Sequence, residues 1–155
     1  MRILTVRQPW AWAIVHGGKD IENSVRSLGP YRGPVAIHVA GKYATEGLDL
    51  PALDDAADAW CAIHGCADHP WFKHVGHIIG VVDLVDVHHA TSCPTHGESA
   101  PWPLCSPWAE RDTWHLVLEA PRPLANPIPY RGALGLRTLP DDVVARIHEQ
   151  IGGAS

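Results

Sequence analysis

No apolar run in this chain is longer than a few residues, so no segment reads as a helix able to span a bilayer. The opening stretch MRILTVRQPW has neither a long apolar core nor a small-residue cleavage site. A secretory leader is therefore not expected, and the expected location is cytoplasmic with no membrane partner. Cysteine is sparse: Cys61, Cys66, Cys93 and Cys105 in 155 residues are too few for a disulfide scaffold. In a cytoplasmic setting they are expected to be reduced thiols. Basic residues are also scarce, with 12 Lys and Arg against 17 Asp and Glu and a net charge of −5. That balance argues against a broad electrostatic grip on a duplex, which needs many cations opposite the phosphates. A glycine-rich phosphate loop, a Gly-x-Ser-x-Gly elbow and an HExxH helix are all missing. So are repeats, low-complexity tracts and linkers, and one domain over residues 1–155 is expected.

What is present is globular: 46% apolar and 19% charged. Charge is unevenly placed. Residues 1–42 carry six basic residues (Arg2, Arg7, Lys19, Arg26, Arg32, Lys42) and two acidic ones, whereas the remainder is strongly acidic. Such a patch suits a compact anionic or nucleobase ligand better than a long groove, unless the asymmetry does not survive folding. RILTV (2–6) reads as a strand. Pro9 then opens a helix that is apolar nearly all round and ends at Gly17 and Gly18. A turn at 29–33 precedes the strand PVAIHVA, and 43–66 reads as helical, split at Pro51 into a short turn and a longer helix. HIIGVVDLVDVHH (77–89) is the strongest strand signal, with Gly80 marking a bulge. Residues 90–112 form a long loop, 113–124 a further strand, 130–139 a glycine-punctuated strand or turn, and 140–151 a closing helix. Several strands with few, separated helices predict an α+β fold, a small curled or closed sheet with helices packed on it.

The motif order carries a resemblance. LTVRQPWAWAIVHGGKDIEN (4–23), PYRGPVAIHVA (30–40), IIGVVDLVDVHH (78–89), CSPWAE (105–110) and PIPYRGALGLRTLP (127–140) resemble, in this order, the motifs of ASCH-domain proteins. They are most similar to the branch typified by the C-terminal domain of activating signal cointegrator 1. The resemblance implies a PUA-like small β-barrel with flanking helices. It also implies one of several activities: nucleic-acid binding, RNA cleavage, or amidohydrolysis of N4-acetylcytidine. Fold alone does not choose among them.

By motif, Lys19 falls on the lysine of the amidohydrolase branch, and Glu22 falls where that branch has its threonine nucleophile. A carboxylate can serve as base or acceptor but does not simply replace an activated hydroxyl. Ser24 offers a hydroxyl two positions on, and Glu110 or Glu98 offers a later acid. The cointegrator-like branch has Glu-Asn-Arg where this chain has Glu22-Asn23-Ser24, with Arg26 two positions later. Lys19 and Glu22 are thus either a functional pair or a surface ion pair fixing the turn. Tyr31 and Arg32 supply a stacking ring and a guanidinium fork, or merely pack the turn.

Gln8 either reads a base edge or caps the first helix, and Ser106 can donate to a ligand. Trp10 and Trp12 read as core, Trp10 being also a candidate ligand contact, and Trp114 reads as core too. Trp102 and Trp108 lie in the long loop, where each can stack on a base or plug the core. Eleven histidines raise the question of zinc. Two groups stand out: Cys61, His64, Cys66 and His69, then His88, His89, Cys93, His96 and Cys105. Their spacings fit zinc motifs poorly, although His89, Cys93 and Cys105 can converge through the loop. No metal or cofactor is expected. The expected function is binding of single-stranded RNA or a nucleoside-like ligand in a cleft beside the barrel. A hydrolase using Lys19, Glu22, Ser24 or Glu110 is the alternative.

Overall fold

The computed structural model describes residues 1–67, 71, 73–93 and 104–152. Glu98, Trp102, His69 and His96 lie outside the described residues. In chain order the elements are β1 (Arg2–Val6), α1 (Trp10–His16), β2 (Ile21–Ser24), β3 (Gly33–Val39), α2 (Pro51–His64), β4 (His77–His89), β5 (Trp114–Pro129), β6 (Arg137–Thr138) and α3 (Asp141–Ile151). The strands form one six-stranded sheet in the order β2-β5-β4-β3-β1-β6. β1 runs parallel to β3, and the other pairings are antiparallel. β2 and β6 are the two edges, so the sheet curls into a half-barrel and does not close. The expected α+β architecture is present in that open form.

Side-chain alternation divides the core across the sheet. Leu4, Val6, Val35 and Ile37 pack with Ile14 and Val15 of α1 on one face. Ile3, Ala36, Ile78 and Val81 pack with Val143 and Ile147 of α3 on the other. A third cluster joins Trp12, Ile21, Leu53 and Trp108, with Trp60 and Trp71 against it. α1 is wedged between the first and third clusters, which explains why its sequence is apolar all round. Gly80 has two roles. The β4–β5 register shifts beside it, and a Cβ there would lie 2.7 Å from Val15 Cγ1. The strand lacks a side chain where α1 presses closest.

Three local findings refine the expected elements. Residues before Pro51 form bends and a turn, and the helix starts at Pro51, whose missing N–H belongs in a first turn. β5 runs on to Pro129, beyond the expected end at 124. It tolerates Pro121 and Pro123 because β2 pairs only with residues 114–117, leaving the far part of β5 an edge that needs no outward N–H. The expectation of four reduced thiols is corrected at the end of α2: Cys61 is joined to Cys66 by a disulfide, their Cα atoms 4.7 Å apart. α2 ends at His64 and the chain doubles back through Gly65 with positive φ, bringing the two cysteines together.

Candidate functional site

α1 ends in a way that aims its next residue inward. Gly17 and Lys19 both donate their N–H to the Ala13 carbonyl, and Gly18 adopts φ of 73°. The second of these bonds closes a wider, seven-to-one loop around a left-handed glycine just past the helix end. It turns the Lys19 side chain back under the helix, where the residue is 4% exposed. Its Nζ donates to the Ile21 carbonyl and to Glu22 Oε2, the latter at 3.0 Å. It also lies 5.7 Å from the centroid of the Trp10 ring. The pair is buried on the lysine side and opens to solvent on the glutamate side, with side-chain exposures of 3% and 19%. It is therefore not the exposed surface bridge that sequence left open.

Above this pair lies a cleft of about 500 Å³. Trp10, Lys19 and the β2 residues Glu22, Asn23 and Ser24 line its base, Trp108 and Glu110 one wall, and Thr5, Arg7 and Glu46 the rim. Gly47, with φ of 70°, lets its turn approach Trp10 and Glu110 closely. On the rim, Arg7 meets Glu46 at 3.8 Å, both well exposed. Hydrogen bonds from Thr45 hold the Glu46 carboxyl below its ordinary range. Sequence reasoning had Arg7 only as part of the basic patch and of the 4–23 motif, and did not pick out Glu46.

Asn23 builds the wall as well as facing the cleft. Its Nδ2 donates to the Trp108 carbonyl at 2.9 Å, and its Oδ1 accepts from the Glu110 N–H at 3.0 Å. The amide thus staples residues 108–110 to β2. Trp108 is 5% exposed and belongs mainly to the Trp12 cluster, so it closes the cleft more than it projects into it. Ser24 directs its hydroxyl to the Arg26 carbonyl at 2.7 Å.

Other candidates stand elsewhere. Gln8 is buried: its Oε1 accepts the Trp12 N–H at 2.9 Å, the capping option, and its Nε2 points to the Lys73 carbonyl. Ser106 is buried too, donating to Asp20 Oδ1 and accepting from the Trp108 N–H, so its hydroxyl is used inside the loop. Arg26 borders a neighbouring hollow. Tyr31 donates to the Pro34 carbonyl, and Arg2 sits over its ring. Arg32 bonds to the Tyr31 and Gly29 carbonyls and approaches Asp86 at 3.7 Å. These turn contacts occupy both groups away from the cleft. Trp114 is half-buried at the start of β5, edge-on to His89.

Among the potential metal ligands, the structure gathers His88, Cys93, Cys105 and His115, whose ligand atoms lie within 4.8 Å of one another. His89 is not among them, its Nδ1 being bonded to Thr91. His64 stacks on Trp60.

Among the described residues no helix is long and apolar enough to cross a membrane. In fold the chain is similar to the crystal structure of ASCH from Zymomonas mobilis, with a TM-score of 0.53 and 13% identity over 96% of this chain and 93% of that one. A tyrosine-to-phenylalanine mutant of that protein aligns with a TM-score of 0.51 and 14% identity, over 96% of both chains. No curated protein matches by sequence. The family model for the ASCH domain matches residues 4–126. With that match over most of its length, the chain belongs to the ASCH domain family.

Proposed function

We propose that the cleft binds a single nucleobase, either as a free modified nucleoside or as one unit of single-stranded RNA. The observation that carries this reading is the Lys19–Glu22 pair at the foot of a cleft of about 500 Å³, beside the half-buried Trp10 ring. That volume is typical of small-ligand sites. An aromatic face stacks any base, while a carboxylate and an ammonium side by side match an exocyclic amine and a ring carbonyl. The net charge of −5 and the mutually paired Arg7 and Glu46 leave little cationic surface for a long backbone. Affinity would then rest on pocket contacts and depend weakly on salt.

Binding is favoured over hydrolysis by what the polar groups already do. The Lys19 ammonium is held by Ile21 and Glu22, and the Ser24 hydroxyl, the one nearest the matched threonine position, is turned to Arg26 and not toward Lys19. The likeness to the cointegrator branch in CSPWAE and PIPYRGALGLRTLP points the same way. The test is calorimetric titration with cytidine, N4-acetylcytidine and short single-stranded RNAs, with mass spectrometry of the recovered ligand. Binding without turnover, weakened about 10- to 100-fold by Lys19→Ala, is expected from loss of a charged hydrogen bond. Cytidine released from N4-acetylcytidine by wild type and not by Lys19→Ala would instead establish a hydrolase that depends on Lys19. No binding of any of these ligands by folded protein would remove the reading.

A further inference from the structure

His88 and His115 face each other across the β4–β5 ladder, one directly opposite the other. Their rings lie edge to face with centroids 5.3 Å apart. Each ring has one nitrogen fixed by a polar partner. His88 Nδ1 is 2.8 Å from Asp86 Oδ2, and His115 Nε2 is 2.8 Å from the Glu110 carbonyl. The remaining nitrogens point toward two free thiols. His115 Nδ1 lies 3.3 Å from Cys105 Sγ and 3.8 Å from Cys93 Sγ. His88 Nε2 is buried and has no hydrogen-bond partner. Cys93 Sγ in turn accepts the Cys105 N–H at 2.9 Å.

We propose that His88, Cys93, Cys105 and His115 form a structural zinc site that ties the wall of the cleft to the sheet. The geometry suits a tetrahedral ion: with zinc–sulfur bonds near 2.3 Å and zinc–nitrogen bonds near 2.0 Å, ligand atoms should lie about 3.3–3.8 Å apart. The two sulfur–nitrogen separations at His115 match that range, and all four ligand atoms fall within 4.8 Å of one another, close enough for one ion to draw them in. The outer contacts are those that metal-bound histidines require. A carboxylate on one ring and a backbone carbonyl on the other fix which nitrogen is free to bind. The Cys105 N–H is directed at Cys93 Sγ, a backbone donor to a would-be ligand sulfur. Two thiolates and two imidazoles select zinc over harder divalent ions, and four protein ligands leave no open position for catalysis.

The site lies behind the cleft. Glu110, whose carbonyl holds His115, has its N–H held by Asn23, and Cys105 immediately precedes Ser106 and the Trp108 segment. Closing the metal site therefore fixes both ends of the 105–110 wall. Linear spacing argued against zinc because Cys93-x11-Cys105 has no short Cys pair. The two strands provide the missing proximity, setting one histidine opposite the other where no spacing rule looks.

The experiment is elemental analysis of full-length protein purified under reducing conditions, followed by cobalt titration of the metal-stripped chain. One zinc per chain is expected, as is a cobalt spectrum with tetrahedral d–d bands and sulfur-to-metal charge transfer. Cys105→Ser and Cys93→Ser should each either prevent cobalt binding or cut the sulfur-to-metal charge-transfer intensity by about half, one thiolate of two being lost. The Cys61→Ser/Cys66→Ser double variant should keep that intensity. Chelation should increase hydrogen exchange at the Glu110 amide. The cobalt titration uses the wild-type chain, so it stands even if a cysteine variant fails to fold. Folded, reduced wild type that takes up neither zinc nor cobalt would overturn the proposal. So would cobalt bound without sulfur charge transfer, or a Cys93–Cys105 disulfide that persists under reduction.

Discussion

The Lys19–Glu22 pair can be weighed by a double-mutant cycle of Lys19→Met, Glu22→Gln and both together. At 3.0 Å the gross attraction is about 5 kcal/mol for an effective dielectric near 20. Most of this is offset by the cost of removing the two charges from water. Methionine keeps the length and apolar stem of Lys19 against Trp10, so the substitution removes the cation with little loss of packing. It leaves Glu22 without its partner, but that carboxylate is 19% exposed and faces the cleft, so it can recover some hydration. The loss should fall below the ~3–5 kcal/mol of a fully buried broken pair, at about 2–3 kcal/mol. Glu22→Gln retains an acceptor for Lys19 and should cost about 1–2 kcal/mol. The double variant should be less destabilised than the sum by about 1–2 kcal/mol. Urea unfolding followed by tryptophan fluorescence reads all four corners. Additivity within about 0.5 kcal/mol would show that the two charges do not interact, and the pair would lose its place as the base of the site.

Two further outcomes follow from the packing and the histidines. Gly80→Ala should cost about 1–3 kcal/mol, because the new methyl would meet Val15 at 2.7 and 2.9 Å and the Arg122 carbonyl at 3.1 Å. Urea midpoints measure this, and an unchanged midpoint would mean that α1 does not bear on β4. Burial, the largest cause in each case, lowers the His16, His38 and His74 pKa values from 6.5, so the native state disfavours their charged forms. Neighbouring histidines add to the lowering in all three. The unfolded chain then binds more protons, so this stability is present above about pH 6.5 and is lost as pH falls through the lowered folded values. Melting temperature should fall from pH 7 toward pH 5, and a flat profile would refute the assignment.

How much could be read from sequence depended on the kind of signal. The branched-residue runs of β3 and β4, the all-apolar α1 and the paired glycines after it each express one-dimensional rules, and the fold follows them. Lys19 and Glu22 are three positions apart in sequence and paired in space, so the motif named them together. What escaped was contact made across strands. Asn23 was named, but not its grip on Trp108 and Glu110, which lie 85 and more positions away. His115 was not singled out because its partners come from β4 and from both ends of the long loop. Ser106 was read as free to meet a ligand, yet burial gave it backbone and carboxylate partners, while Gln8 took the capping role that was one of its two readings, as buried polar atoms require. The Cys61–Cys66 bond depends on a helix end turning back, which spacing alone does not reveal.

The placement of β2 has a consequence for when the cleft comes into existence. β2 follows α1 directly in the chain, yet its partner is β5, with Ile21 opposite Val117 and Ser24 opposite Trp114. A chain emerging from the ribosome therefore exposes Lys19 and Glu22 long before the strand that docks them has been made. Until residues 105–117 arrive, Asn23 has no wall to hold. Pairings separated by so much sequence form late, because their loops must close before the contacts repay the entropy. The cleft is thus a product of completed folding: only chains that have joined their first quarter to their last third can present it.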